Sequence, residues 1–336
     1  MQVQHYHDAG AFDILRPEWN HLVFTSSTNE VFLTIEWQES WWRHLGEGEL
    51  WVTTVRDPAG ALLAIFPCHV LEADGRRILR FIGCVEVTDY LDLILAKGHE
   101  EALLPLFVEC LLGPAAPPWD KVELCNIPQA SATLRLLPEL AGAAGLSVDV
   151  RQRDVCPVIP LPTSWEAYLM MLDKKQRHEI RRKLRRAQSE AVLEWYIVGP
   201  AHDFERELDI FIELHRKSRP DKHAFMTPRT EAFFRAMARA LFDAGWLRLS
   251  HLVLDGRHEA SMLSFDYDNA VLLYNSGFDP EGHPQLSPGN VLIALCIQQA
   301  IELGRREFDF LRGDEEYKYR FGARDTYVYQ IEMERR

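Results

Sequence analysis

Apolar residues recur along this chain in two rhythms, and their alternation predicts its elements. Short or alternating apolar runs predict strands at QVQHYH (2–7), ILRFIGC (78–84) and KVELCNI (121–127). Three- and four-residue spacing predicts amphipathic helices at AFDILRPEWNHLVF (11–24), TIEWQESWWRHL (34–45) and EEALLPLFVECLL (100–112). LWVTTVRDPAGALLAIFPCHVL (50–71) predicts a hairpin turning at Asp57-Pro58-Ala59-Gly60, residue types that supply turn geometry.

The same order is then written again. VLEWYIVG (192–199) reads as a strand, DFERELDIFIELHRK (203–217) and TEAFFRAMARALFDAG (230–245) as helices. WLRLSHLVLDGRHEASMLSFDY (246–267) reads as a hairpin turning at Asp255-Gly256. AVLLYNSG (270–277), VLIALCIQQAIELG (291–304) and EFDFLR (307–312) follow as strand, helix and strand. Corresponding elements lie about 190 residues apart, so both halves read β-α-α-β-β-β-α-β and a tandem repeat is expected. The expected fold class is α/β (α+β), with domains 1–162 and 163–336, each a mixed central sheet flanked by helices. SVDVRQRDVCPVIPL (147–161) is expected to finish the first sheet, and one long helix to run over about 164–190.

This order resembles the GNAT acyltransferase fold in tandem. It resembles the CelD-like acetyltransferases more specifically, and the Fem peptidyltransferases of cell-wall synthesis more distantly. The stretches that carry the likeness are FLTIEWQESWWRHLG (32–46), VTDYLDLIL (87–95), YNSGFDPEGHPQLSPGN (274–290) and FDFLRGDEEYKYRFG (308–322). The likeness spans nearly the whole chain. It implies that two adjacent parallel strands splay apart to admit the arm of acetyl-CoA or another acyl-CoA, with Tyr274 and Asn275 on the strand before the main helix. It also implies that the pyrophosphate rests on that helix's N-terminus, where free N–H groups and the dipole favour an anion. In the second half this start is Ser287-Pro288-Gly289-Asn290-Val291, with Ser287 as N-cap, Pro288 as first helical residue and Gly289 allowing close approach. A plain helix start has the same residues. The stretch also departs from the GNAT pattern of Gln or Arg followed by two spaced glycines, since Gln285 is present but Pro288 and Asn290 stand where glycines are expected. In the first half the corresponding residues Glu100 and Glu101 would repel a pyrophosphate, so the cofactor is expected in the second half alone. The first copy would then either contribute acceptor-side residues, Trp37 in the first of the four stretches and Asp89, Tyr90 and Asp92 after a strand end, or stiffen the structure, with those aspartates satisfied within a loop.

FDFLRGDEEYKYRFG asks why a strand should empty into opposite charges and phenols. Acyl transfer needs a base, donors for an oxyanion and a group that stabilises the leaving thiolate. Asp314 or Glu315 can be the base, Tyr317 or Tyr319 the acid, and Lys318 and Arg312 can hold a phosphate, a carboxylate or the oxyanion. Resemblance to the Fem enzymes makes Lys318 the counterpart of a lysine that assists transfer. The competing reading is a salt-bridged helix, with Asp314 to Lys318 and Glu316 to Arg320 at i,i+4.

Composition narrows the picture. A net charge of −13 argues against a general nucleic-acid binder. Against it, DKKQRHEIRRKLRRAQSE (173–190) concentrates basic residues, and Arg177 and Arg181 lie one turn apart, able to grip a phosphate-bearing acceptor. A solvated helix pairing with acidic neighbours explains the same run. The six cysteines show no zinc or redox spacing and read as reduced, buried thiols of a cytoplasmic protein. No metal is expected. MQVQHYHDAG has no basic region followed by an apolar one, so no signal peptide is expected, and no apolar run is long enough to span a membrane. The expected function is acyl transfer from acyl-coenzyme A to an amine or hydroxyl of a small molecule: a sugar, amino acid or envelope precursor. The rivals are a Fem-like aminoacyl transferase using charged transfer RNA and a catalytically silent binding protein of the same fold.

Overall fold

A computed structural model describes residues 1–84 and 87–336. The chain divides into two compact units, residues 1–155 with 326–336, and residues 156–325. The sequence-based division at 162/163 follows chain order, whereas the last strand returns to the first unit.

In the first unit β1 (Gln2–Tyr6) leads to helices α1 (Gly10–Thr25) and α2 (Ile35–Leu45). Strands β2 (Glu49–Arg56), β3 (Leu62–Ala73) and β4 (Arg76–Phe81) follow, then the short β5 (Ile94–Leu95), α3 (Glu100–Leu112), β6 (Lys121–Pro128) and α4 (Ala132–Ala143). β1 to β4 pair antiparallel in sequence order, and β4 pairs parallel with β6. The β2–β3 turn forms where Asp57 was expected to make it: the Gly60 N–H donates to the Asp57 carbonyl at 3.0 Å. Trp19, Trp51, Phe66 and Phe107 are fully buried. Strand β7 (Leu146–Pro160) gives its first ten residues to this unit and its last five to the next.

The second unit contains α5 (Trp165–Met171), α6 (Lys174–Glu190), β8 (Leu193–Ile197), α7 (Phe204–Ser218), α8 (Pro220–Phe225) and α9 (Pro228–Asp243). Then come β9 (Leu247–Leu254), β10 (Arg257–Tyr267), β11 (Ala270–Phe278), α10 (Pro288–Glu302), β12 (Glu307–Asp309) and α11 (Glu316–Arg320). β13 (Arg324–Arg335) closes the chain and pairs antiparallel with β6 of the first unit. β8 to β11 pair antiparallel in order and β11 pairs parallel with β12, so the strand order of the first unit is repeated. The hairpin turns at Asp255-Gly256 and Asp268-Asn269 all have positive φ, the requirement of a tight hairpin of this hand.

The expected continuous helix over 164–190 is two helices. Leu172 is extended, and the Asp173 carboxylate accepts the Gln176 N–H at 2.8 Å, starting α6 afresh. The cysteine reading is also corrected. Cys84 and Cys125 are joined, with Cα atoms 6.0 Å apart, because parallel neighbours β4 and β6 carry them past their last pairs on the same side. Cys68, Cys110, Cys156 and Cys296 form no disulfide among the described residues.

Helix α7 lies flush on β11. A Cβ added to Gly277 would stand 2.3 Å from the His215 backbone nitrogen. Since that neighbour is backbone, Gly277→Ala is expected to cost about 1–3 kcal/mol through overpacking. The urea midpoint measures it, and an unchanged midpoint would mean that α7 can lift without penalty.

Candidate active site

In the second unit β11 runs on past the end of β12. Their parallel pairing runs from Ala270↔Glu307 to Leu272↔Asp309 and stops, while β11 continues to Phe278. On its other edge β11 carries a bulge, since Leu263 pairs with Asn275 and Ser264 with Leu273, leaving Tyr274 as the extra residue. The Tyr274 ring packs among aromatics, 5.6 Å from Phe234 and 5.2 Å from Phe265. The Asn275 side-chain oxygen faces His215 Nε2 at 3.1 Å. Burial holds His215 down to about 4, so it is neutral at pH 7.

Helix α10 begins beside β11. Pro288 is its first residue, as expected, but Ser287 does not cap it: its backbone is left-handed, φ +55°, and its hydroxyl makes no cap hydrogen bond. The first backbone bond is Val291 N–H to the Ser287 carbonyl at 3.1 Å. The Gly289 and Asn290 N–H groups have no partner among the described residues. A Cβ on Gly289 would meet nothing within 4 Å. The approach to this helix is held from below by Glu259, fully buried on β10, which accepts both the His283 N–H and its ring Nδ1 at 2.9 Å. Gly282 allows this, since a Cβ there would collide with the Glu259 carboxylate.

A cavity of about 460 Å³ adjoins Asn290, Val291 and Ala294 of α10. Its remaining walls come from α6 and from the α11 region, ending at Phe321. Lys175, Lys183 and Arg320 line it together with Asp173, Glu179 and Glu316, so it mixes both signs of charge. Burial lowers the Lys183 pKa, with Glu179 opposing and Arg320 assisting. The basic helix therefore turns Lys175 and Lys183 to the cavity. Arg177 and Arg181, the pair singled out by spacing, do not line it: Arg181 pairs with Glu166 at 2.7 Å and Arg177 rests on the Met170 sulfur at 3.5 Å.

The exit of β12 is built around Lys318. Leu311 stands at φ +57°, unusual for a residue with a side chain, and its N–H donates to Asp309 Oδ1 at 2.7 Å. Lys318 is 2% exposed. Its Nζ donates to the carbonyls of Leu311, Arg312 and Gly313 at 3.2, 2.8 and 2.9 Å and pairs with Glu315 Oε2 at 2.9 Å. An ammonium has three hydrogens, so all are committed inside the loop. The expected Asp314–Lys318 pair is replaced by Glu315, because the buried lysine points back toward the strand exit and Asp314 is exposed. Glu316 and Arg320 do pair, at 2.7 Å and well exposed. Gly313 sits at φ +110°, a turn that side chains rarely adopt. The Tyr317 ring meets Phe310 edge-on at 5.9 Å, and burial, with Glu315 adding, raises its phenol. Tyr319 is half-buried, and its carbonyl accepts Gln176 Nε2 at 3.4 Å.

One residue here carries no sequence signal. Lys222, on α8, donates from Nζ to the Ser276 carbonyl of β11. Burial brings it down to about 8. Arg219-Pro220-Asp221-Lys222 reads only as a short helix start, so nothing local marks the lysine.

The first unit is closed at the corresponding place. β4 and β6 pair as far as Arg80↔Glu123, and just beyond, Asn126 Nδ2 donates to the Thr88 carbonyl at 2.6 Å and the Asn126 carbonyl accepts the Leu91 N–H at 3.0 Å. Thr88 and Leu91 are fully buried there. Trp37, expected to meet an acceptor, is 0% exposed and donates to Thr88 Oγ1 at 3.1 Å. Tyr90 is buried edge-on to Phe32 at 6.0 Å, and Asp89 is buried. Asp92 is tied to Thr28, Ser131 and the Leu93 N–H, with its pKa raised by burial against those bonds. These residues knit a core. Glu100 and Glu101 stand in the first turn of α3, as expected.

Residues 174–319 match the model of the acetyltransferase (GNAT) domain. No curated protein sequence matches the chain. The fold is similar to the crystal structure of FemX at 12% identity and a TM-score of 0.69, covering 98% of this chain and 97% of that one. It is similar to a conserved protein of unknown function from Bacteroides thetaiotaomicron VPI-5482 at 12% identity and a TM-score of 0.62, covering 99% and 100%. It is also similar to the C-terminal domain of a putative lysylphosphatidylglycerol synthetase from Agrobacterium fabrum, at 14% identity and a TM-score of 0.55, covering 96% and 92%. At such identities the likeness is one of fold. Among the described residues no helix is long and apolar enough to cross a membrane.

Proposed function

The chain is a tandem GNAT-fold protein, and from that premise we propose that its second unit transfers an acyl group from acyl-coenzyme A to a small acceptor. In its narrower form the reaction is acetyl transfer of the CelD-like kind, to an amine or hydroxyl of a sugar, amino acid or envelope precursor. The observation that carries this reading is that β11 runs on past its last pair with β12, beside an α10 start with two free N–H groups and room at Gly289. Those N–H groups, with the Ser287 hydroxyl, would receive the pyrophosphate, and Val291 would border the arm. The missing N–H of Pro288 removes one donor. Tyr317, kept as a neutral phenol by burial, can offer a hydrogen bond to the departing sulfur without giving up its proton. Arg312 and the exposed Asp314 would hold the acceptor at the mouth. Lys318 acts by fixing the loop that presents them.

Coenzyme A at 100 times its dissociation constant is expected to stabilise the protein by about 2.7 kcal/mol in a thermal melt. Gly289→Glu should abolish that shift without loss of intrinsic stability, since its Cβ enters open space. Glu100→Gln in the first unit should leave it intact. No shift with the wild-type protein would remove the acyl-coenzyme A reading, in favour of transfer from charged transfer RNA or of a silent binding protein.

A further inference from the structure

A transfer site needs a group that takes the acceptor's proton, and the lysine of the FDFLRGDEEYKYRFG stretch has no hydrogen-bonding capacity left for it. A second lysine, on α8, reaches the part of β11 that runs past its pairing with β12. Helix α7 ends at Ser218, and Pro220 starts α8 immediately. Because Gly277 lets α7 lie against β11, the turn that follows brings Lys222 onto that strand, at the Ser276 carbonyl. Ser276 belongs to the stretch of β11 that runs on after its last pair with β12. The titratable groups around Lys222 are Arg219 and Asp221 on its own turn, the neutral His215 on α7 and Glu315 from the loop after β12. Glu315 is also the partner of Lys318, so Lys222 is electrically coupled to the loop of the candidate site. Burial and Arg219 favour the neutral amine, while Asp221 and Glu315 oppose it.

Building on the acyl-transfer reading, we propose that Lys222 is the proton carrier of the transfer site. The neutral amine of Lys222 takes one proton from the acceptor nitrogen as that nitrogen's lone pair bonds to the thioester carbonyl carbon. The C–S bond then breaks, its electron pair leaves on sulfur, and Lys222 returns the proton to the thiolate. The products are an amide and a free thiol, and Lys222 ends neutral, so no further reactant is needed. The Ser276 carbonyl holds Nζ in place through both steps.

The test pairs a titration with a variant. In wild-type protein, competitive labelling with acetic anhydride and peptide mass spectrometry should show Lys222 titrating near pH 8, below the exposed lysines. Coenzyme A should slow its labelling. Lys222→Arg keeps a cation that can reach Ser276 but does not deprotonate. Transfer from acetyl-coenzyme A to hydroxylamine, followed as released thiol, should fall about 100-fold or more, with the thermal shift from coenzyme A unchanged. If Lys222 labels like a surface lysine, goes unprotected, or can be replaced by arginine without loss while coenzyme A still stabilises the fold, Lys222 is not the carrier and acyl transfer stands. If coenzyme A gives no stabilisation, both readings fall together.

Discussion

Lys318→Met is expected to destabilise the second unit by about 3–5 kcal/mol, the usual cost of removing one partner from a buried charge network. Methionine keeps much of the apolar stem and removes the ammonium. The carbonyls of Leu311, Arg312 and Gly313 then lose their buried donor, and Glu315 loses its partner. Leu311, left-handed at φ +57°, loses one of the two bonds that hold it there. The effect is read from the urea midpoint at constant m-value. Turnover should fall as well, because the loop that carries Arg312 and Tyr317 no longer has a fixed shape. Two other outcomes are informative. Unchanged stability with a 100- to 1000-fold loss of turnover is the signature of a transition-state donor. A cost of only about 0.3–0.5 kcal/mol is that of an exposed ion pair.

Mild acid is expected to cost the protein several kcal/mol before its carboxylates protonate. His69, His215 and His251 are buried, and burial holds them at about 4, 4 and 3 against an ordinary 6.5. Their folded-state values are depressed, so the unfolded chain binds protons first as pH falls below 6.5. The stability they contribute is complete above that value and drains away as pH drops toward 4. At pH 5 each has lost about 2 kcal/mol by linkage. His251 lies 3.4 Å from Glu207 Oε2, which would recover part of its share. Urea midpoints at pH 7 and pH 5 measure the sum. His251→Asn and His215→Gln should flatten the dependence. A pH-independent midpoint between 7 and 5 would show that these rings are hydrated or already charged.

The strands, helices and their duplication were legible because they depend on residues close in sequence. An apolar period of two or of 3.6, a turn such as Asp255-Gly256 and a Pro288 start declare themselves within a few positions, and the repeat only compares such local signals. The difference between Gly289 at one helix start and Glu100 at the other could be read directly. What the sequence could not decide was partnership. Asp314 stands four residues before Lys318 and was the natural ion pair on an exposed helix. Packing instead buried the lysine and turned it onto three backbone carbonyls, with Glu315 as counter-ion. Arg177 and Arg181 had the right spacing for a phosphate grip, but the rotation of α6 against α10 gave the cavity to Lys175 and Lys183. Trp37, in a stretch that carries the family likeness, turned out to be core. Cys84 meets Cys125, and Lys222 meets Ser276, only because adjacent strands and a flush helix bring distant segments together. Local physics writes the elements of this chain. Which side chains face each other depends on how those elements pack, and no short window of sequence contains that information.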